Sequence, residues 1–353
     1  MPHIEIEQEV ASFMGTEGAI SYSDTASTVT STLPAFAKKG DLVMIDSAIH
    51  EAIQVGADLS RAKIVYFDHN DMQDLERKLE QVRSEDKRLR RDSTKQRRFI
   101  VTEALFREYG DLAPLKELVE LKEKYGYRLF LDESLSFGTL GATGKGLTEH
   151  YQVPVEAVDM LTVSMAYSLA SIGGLCIGSM EVVDHQRLSG AGYCFSAAAP
   201  PFVSRFAREA LVRLQKEPAL VEELQKNAQL VVKEIKSKCD GKLKLLSNPA
   251  SPLVVLAFDG QASTLPHKIQ LEILRQVIAG CTARDVLIGS SEDIQGPKMA
   301  DGLGPKFRLT MRSTFSEAEV CNLVAVLSEV LEEAVGEYTT VTASQEPEHE
   351  EPY

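Results

Sequence analysis

An alternation along the chain constrains its fold more than any other feature. From Ala19 to Gly178, short runs rich in β-branched and aromatic residues are separated by stretches with helical spacing, the pattern of a sheet with crossover helices. The runs are AISYS (Ala19 to Ser23), DLVMI (Asp41 to Ile45), KIVYF (Lys63 to Phe67), FIVTEA (Phe99 to Ala104), RLFLDE (Arg128 to Glu133), LTVSM (Leu161 to Met165) and GLCIGS (Gly174 to Ser179). Several are apolar on both faces, which places them centrally in a mostly parallel sheet of an α/β domain. Helices are expected from Asp71 to Val82 and from Pro114 to Lys124, the second opened by its proline. After Pro200-Pro201 the pattern changes to one long helix, Phe202 to Lys238, followed by shorter strands and helices to about Val335. The spacing therefore predicts a large α/β domain over 1–200, a smaller C-terminal α+β domain over 201–338, and an acidic, proline-containing disordered tail over 339–353.

With 353 residues, 44% of them hydrophobic, the chain can bury the cores of two domains. Its formal charge of −14 argues against broad adhesion to nucleic acid or anionic lipid. One run opposes that balance, KRLRRDSTKQRR from Lys87 to Arg98. Without interleaved aromatics, and with an acidic chain around it, it reads as a solvated loop rather than a nucleic-acid or lipid-headgroup patch. The five cysteines, Cys176, Cys194, Cys239, Cys281 and Cys321, lie far apart with no CxxC pair. They are read as reduced, packed thiols, and no metal site is expected. No apolar run approaches the roughly 18 to 20 residues that span a bilayer, and the N-terminus lacks the basic and apolar regions of a signal peptide.

Three familiar chemistries are excluded by spacing. The segment GTLGATGKGLT, Gly138 to Thr148, looks like a phosphate loop, but Thr139 stands where the first Walker glycine belongs and Gly146 where Ser or Thr must follow the lysine. There is no GxSxG elbow, and the seven histidines form no HExxH pair.

The informative stretch runs from Phe99 to Pro201, where FIVTEALFREYGDLAPL, LFLDESLSFGTLGATGKG, SMAYSLASIGG and DHQRLSGAGYCFSAAAPP follow one another. These segments resemble the α-oxoamine synthases, and within that family the first long-chain-base subunits of serine palmitoyltransferase. AISYS, HNDMQDLE (His69 to Glu76) and KFRLTM extend the resemblance to nearly the whole chain. It implies a fold-type I pyridoxal-phosphate transferase, aminotransferase-like, in which two subunits build active sites at their shared interface.

The resemblance also implies where a cofactor would be held. The family's tethering lysine stands in a Thr-x-x-Lys pattern after a strand, since an amine is needed to hold pyridoxal phosphate covalently. Here the pattern reads Ser164-Met165-Ala166-Tyr167, and no lysine occurs from Gly146 to Gln215. Leu135 stands where relatives carry a histidine that contacts the cofactor, Ser23-Asp24 where they carry a Gly-aromatic pair before the phosphate-facing helix, and Phe315 where they carry a C-terminal histidine. A carboxylate before a helix caps its amides and repels phosphate. Other positions are retained. Asp132 matches the aspartate that pairs with the pyridine nitrogen, or is a strand-end carboxylate satisfied by its neighbours; His50 matches the histidine stacked on the ring, or is a helix-start histidine. Ser164 remains as a vestigial cofactor contact. Arg308 matches an arginine that holds a substrate carboxylate, or forms a structural ion pair. Tyr193 and Phe195, flanking Cys194, belong to the subunit interface by resemblance, or alternatively to the core.

By this resemblance the chain is a non-catalytic supporting subunit of a complex that condenses L-serine with palmitoyl-CoA to 3-ketosphinganine. Pyridoxal phosphate would be bound covalently by the partner, the catalytic long-chain-base subunit 2, with small regulatory membrane subunits as further partners and no nucleic acid. The family sits at the endoplasmic reticulum membrane facing the cytosol, which suits reduced cysteines. Its members begin with a membrane-spanning helix and glycine-rich segments, and this sequence reads as starting downstream of them, as a truncated gene model, a short isoform or a lineage anchored through its partner. Two other readings stay open: a regulatory scaffold without a condensation partner, and a self-sufficient α-oxoamine synthase, against which the missing lysine speaks.

Overall fold

In the computed structural model, which describes residues 1–291 and 304–343, the alternating runs become strands. The first unit, Met1–Gln225, opens with α1 (Pro2–Met14), β1 (Gly18–Tyr22), α2 (Thr25–Phe36), β2 (Leu42–Asp46), α3 (Glu51–Ser60) and β3 (Lys63–Phe67). It continues through α4 (Met72–Leu89), β4 (Arg98–Glu103), α5 (Leu115–Tyr125), β5 (Arg128–Asp132), α6 (Leu147–Tyr151), β6 (Met160–Ser164) and β7 (Gly174–Gly178). Helices α7 (Met180–Ser189), α8 (Ala191–Cys194) and α9 (Pro201–Lys216) follow. The seven strands lie in the order β1-β7-β6-β5-β4-β2-β3. Strands β2 to β6 are mutually parallel, and β7 runs antiparallel to both β6 and β1. Strands β2, β4, β5 and β6 are buried almost throughout, as parallel strands covered on both faces must be. Val43, Ile45, Phe99, Val101 and Phe130 from these strands pack with Val29 and Leu33 of α2 and Ile53 of α3.

The alternation did not announce α1, which guards the sheet edge. Glu7 of α1 accepts from Ser21 N at 2.8 Å and Ser21 Oγ at 2.7 Å on edge strand β1. Arg187 Nη2 holds its second oxygen at 3.1 Å, so an edge amide that would otherwise invite another strand is satisfied within the chain.

The second unit starts at Lys226, inside α10 (Ala219–Lys238), and carries β8 (Leu243–Leu245), β9 (Leu253–Phe258), α11 (Gly260–Ser263), α12 (His267–Thr282), β10 (Gly289–Ser291), β11 (Lys306–Thr310) and α13 (Glu317–Ala343). Its antiparallel sheet has the order β10-β11-β9-β8.

Several expectations need correction. The single helix from Phe202 to Lys238 is two helices, α9 and α10, parted at Glu217-Pro218, because proline has no N–H to continue the ladder. Helix α4 runs to Leu89 rather than Val82, so the basic run begins in a helix, passes a 3₁₀ turn at Ser93–Lys95 and ends in β4. Within the segment expected as a tail, α13 continues to Ala343, and 344–353 lie outside the described residues. All five cysteines are free, but Cys194 is exposed rather than packed. Among the described residues no helix is long and apolar enough to cross a membrane.

Two buried polar devices fix the loops at the carboxyl ends of the parallel strands. Past β3, His69 lies between two carboxylates, with Nδ1 3.0 Å from Asp46 and Nε2 2.9 Å from Asp111. Its ring stacks on Tyr109 at 4.7 Å. Burial alone would lower the imidazole pKa, but the hydrogen bonds to Asp111 and Asp46 outweigh it and raise the pKa to about 10. Past β5, Glu133 accepts from Leu147 N at 3.0 and 2.9 Å and from the Ser136 hydroxyl. It thereby pins the glycine-rich loop before α6. A Cβ at Gly146, whose φ is +92°, would collide with this carboxylate, so the loop is glycine-dependent for both space and backbone. Burial pushes the Glu133 pKa up to about 7.

His69→Ala removes the cationic partner of the fully buried Asp46 carboxylate, leaving it the Ala48 and Asn70 amides, and should cost about 3 kcal/mol, read by denaturant unfolding. Because the folded pKa of His69 is raised, its contribution is fully present below 6.5 and is lost as pH rises through about 10; the variant should lack that alkaline loss. The Glu133 carboxyl is also raised, so the wild type should lose stability relative to Glu133→Gln as pH rises from 4.5 through about 7. Thermal melts across that range would contradict this if the two proteins moved in parallel.

Candidate functional site

Parallel register sets the carboxyl ends of β4, β5 and β6 side by side, with Glu103 opposite Asp132 and Asp132 opposite Thr162. Asp132 is buried and accepts from Ser134 N at 2.8 Å. Burial raises its pKa despite the bond from the Ser134 amide. Glu103 is likewise buried, and burial together with the neighbouring Asp132 charge holds its pKa well above the usual carboxylate range. Its carboxylate accepts from the backbone N–H of His50. Two carboxyl groups whose ionisation is disfavoured thus lie together at the centre of the sheet end.

His50 is the N-cap of α3, its Nδ1 accepting from Ala52 N at 3.2 Å, and its Nε2 lies 3.3 Å from Arg107 Nη1. Ser164, fully buried at the end of β6, accepts from Ala166 N at 3.0 Å and lies 2.8 Å from Thr25 Oγ1. Since the Thr25 hydroxyl donates to Gly173 O at 3.0 Å, the Ser164 proton must go to Thr25, and both hydroxyls are satisfied within the chain. One residue earlier, Asp24 caps α2, accepting from Ser27 N at 2.7 Å and from the Ser27 hydroxyl. The amino end of α2 is therefore closed by the chain's own carboxylate, where an incoming anion would meet like charge.

The remaining sequence candidates are dispersed. Tyr167 lies in the turn after β6, half exposed, and Leu135 is half-buried after β5. Tyr193 is partly exposed; its hydroxyl accepts from Arg187 Nη1 at 2.9 Å and its ring meets Tyr22 edge-on at 6.2 Å. Phe195 is 89% exposed, so it is not a core residue. Arg308 lies on β11 of the second unit, opposite Gly289 and Val255. The first unit therefore sets Asp132 and Ser164 at the ends of adjoining strands, with His50, at the start of α3, tied to the neighbouring Glu103 through its backbone N–H.

Sequence reasoning missed Glu103, Arg107 and the His69 trio. The signal for Glu103 was an acid at the end of an otherwise apolar central strand. For His69 it was a histidine in a run of polar residues just past a strand, but its two carboxylates come from 23 residues upstream and 42 downstream.

Comparison with known proteins gives the context. The model of the family described as aminotransferase class I and II matches residues 1–327. Long chain base biosynthesis protein 1c of Oryza sativa subsp. japonica is 41% identical over 332 residues, 93% of this chain and 66% of that protein. Serine palmitoyltransferase 1 of Dictyostelium discoideum is 37% identical over 329 residues, 92% of this chain and 67% of that protein. The chain spans only 55 to 67% of the length of these and two further plant relatives. Among solved structures, a serine palmitoyltransferase from S. paucimobilis with bound PLP superimposes with a TM-score of 0.81 at 24% identity, covering 95% of this chain and 77% of that one. An 8-amino-7-oxononanoate synthase from Francisella tularensis does so with a TM-score of 0.75 at 18% identity, covering 96% of this chain and 88% of that one. At such identities the structures speak for the fold. The sequence relatives go further: the chain belongs to the aminotransferase class I and II family and, within it, to the long chain base biosynthesis protein 1 and serine palmitoyltransferase 1 group.

Proposed function

We propose that this chain is the non-catalytic, supporting subunit of a serine palmitoyltransferase, and that its partner, a lysine-bearing long-chain-base subunit 2, holds the cofactor and does the chemistry. The observation that carries this reading is the turn after β6, where Ser164-Met165-Ala166 leads to the half-exposed phenol of Tyr167 and not to an amine. A phenol cannot tether pyridoxal phosphate. The surroundings agree. The Asp24 carboxylate closes the helix end that would face the phosphate, Ser164 is hydrogen-bonded to Thr25, and half-buried Leu135 has no proton to give. These residues do not fit pyridoxal phosphate tethered in this chain, and no step of the reaction is assigned to them.

In this reading Asp132, Glu103, His50 and Ser164 are inherited site residues now serving the fold, and Arg308 is retained for the fold of the second unit. The complex would condense L-serine with palmitoyl-CoA to 3-ketosphinganine on the partner's cofactor, at the cytosolic face of the endoplasmic reticulum. The chain's contribution is to complete the partner's site and steady it. Support comes from the exposed Tyr193, Phe195, Phe202 and Phe206, which present the kind of aromatic surface that protein interfaces bury.

Serine and palmitoyl-CoA condensation should appear only when this chain is co-expressed with a lysine-bearing partner. Activity from this chain alone would contradict the reading, and a stable but inactive pair would favour a regulatory scaffold. Tyr167→Lys in the isolated chain restores an amine beside a closed helix end, and should still show no condensation above background.

A further inference from the structure

The parallel sheet has a second end, and its surface chemistry is unlike the rest of this acidic chain. At the amino ends of four adjacent strands, exposed cations precede or open each strand. Lys38 and Lys39 lead into β2, Arg61 and Lys63 into β3, Arg97 into β4, and Arg128 opens β5. The strand starts are level, since Leu42 pairs with both Lys63 and Arg98, and Phe99 with Arg128. Helix α4 crosses back to this same end, where its last turn and cap add exposed Lys87, Arg88, Arg90 and Arg91.

These segments are stitched together rather than loose. One residue, Asp41, accepts from Lys38 N at 2.8 Å and Arg97 N at 2.9 Å through its carboxylate, and from Lys63 N at 2.9 Å through its carbonyl. Gln96 Nε2 donates to Gly40 O at 2.7 Å. The acids nearby are mostly engaged: Asp41 on those amides, Asp86 buried with Arg98, Asp92 on Thr94, Glu85 3.8 Å from Arg91, and Asp159 on Leu129 N at 2.8 Å and Lys122 Nζ at 2.7 Å. Asp58 of α3 is exposed. Toward β6, β7 and β1 the same end turns acidic, and Arg97 and Arg128 line one cavity with Glu17, Glu156, Asp159 and Glu181, so the cationic face is centred on the β3-β2 side and the end of α4, with Arg97 and Arg128 at its border.

Among the cations lie exposed leucines. Helices α3 and α4 both finish here with an exposed leucine close to a left-handed arginine cap: Leu59, 57% exposed, two residues before Arg61 at φ +57°, and Leu89, 48% exposed, immediately before Arg90 at φ +52°.

We propose that this face docks the chain on an anionic lipid bilayer, with the arginines and lysines at the headgroups and Leu59 and Leu89 entering the interface. Charge complementarity selects the occupant. Cations presented along level strand ends match a planar anionic surface, and solvent-facing leucines between them suit the headgroup boundary. A nucleic acid would call for aromatic side chains to stack on its bases, whereas the large apolar residues exposed on this face are aliphatic. The basic run was set aside in the sequence because it was weighed alone. Folding adds to it the cations that lead into β2, β3 and β5. Docking in this way turns the carboxyl-end site away from the bilayer. The inference does not depend on whether the chain is catalytic.

The test is flotation of the full chain with phosphatidylcholine vesicles, with and without about 30% phosphatidylserine, at low and high salt. Binding should require phosphatidylserine and fall with salt. The variant Lys38→Gln, Lys39→Gln, Arg88→Gln, Arg90→Gly should bind at least about a hundredfold more weakly, at about fivefold per charge. Leu59→Ser with Leu89→Ser should weaken binding without changing the salt slope. A control removing four exposed lysines elsewhere, Lys216, Lys233, Lys236 and Lys244, should bind like the wild type. Equal binding to neutral vesicles, equal loss in the control, or retention on RNA without retention on vesicles would overturn the proposal.

Discussion

The parallel register of β2, β4, β5 and β6 governs both ends of the first unit. Parallel pairing with level strand ends collects whatever residues finish the strands on one side and whatever residues start them on the other. On the carboxyl side that means Asp46, Glu103, Asp132 and Ser164. On the amino side it means Leu42, Arg98, Arg128 and Met160 with the loops that feed them. Neither set is contiguous in the chain, and both have chemical character only because the sheet lines them up.

At the carboxyl side, polar groups that could have been aimed at a ligand are turned on the chain itself. Asp24 meets the first amides of α2, Ser164 meets Thr25, Glu133 meets Leu147, and His69 is held between Asp46 and Asp111. Buried polar groups are costly unless paired, so a scaffold that gives up a ligand must supply internal partners or lose stability. The capping carboxylate and the serine-threonine pair are such partners. They satisfy the groups around the start of α2 and make that helix end unwelcoming to a phosphate, while Ser134 Oγ and Thr162 Oγ1 beside Asp132 are buried without a hydrogen-bond partner.

How much of this was legible in the sequence depended on range. The central strands were, because burial on both faces leaves apolar runs that need no tertiary knowledge, and the part-exposed edge strand β3 matched KIVYF residue for residue through its β-branched and aromatic residues. The Asp24 cap was, since a carboxylate before a helix acts on its own neighbours. The break at Pro218 was overlooked where helical spacing on both sides masked it. The His69 trio and the Glu103–Asp132 pair were illegible because their members meet only through register. Contiguity misled at the basic run: alone it looked like a solvated loop, yet Arg98 is buried in it and its exposed members share a face with Lys38, Lys63 and Arg128. The roles of His50, Asp132, Ser164 and Arg308 rest on position within the family pattern, and the geometry adds what each touches.

The central claim is that this chain holds the fold of a pyridoxal-phosphate transferase without the means to tether the cofactor. Titrating pyridoxal phosphate into the purified chain while following visible absorbance, then reducing with borohydride and mapping the label by mass spectrometry, tests it directly. The expected result is no saturable band and only scattered labelling of surface lysines. A saturable band at one equivalent, with the label on a single lysine, would contradict the claim.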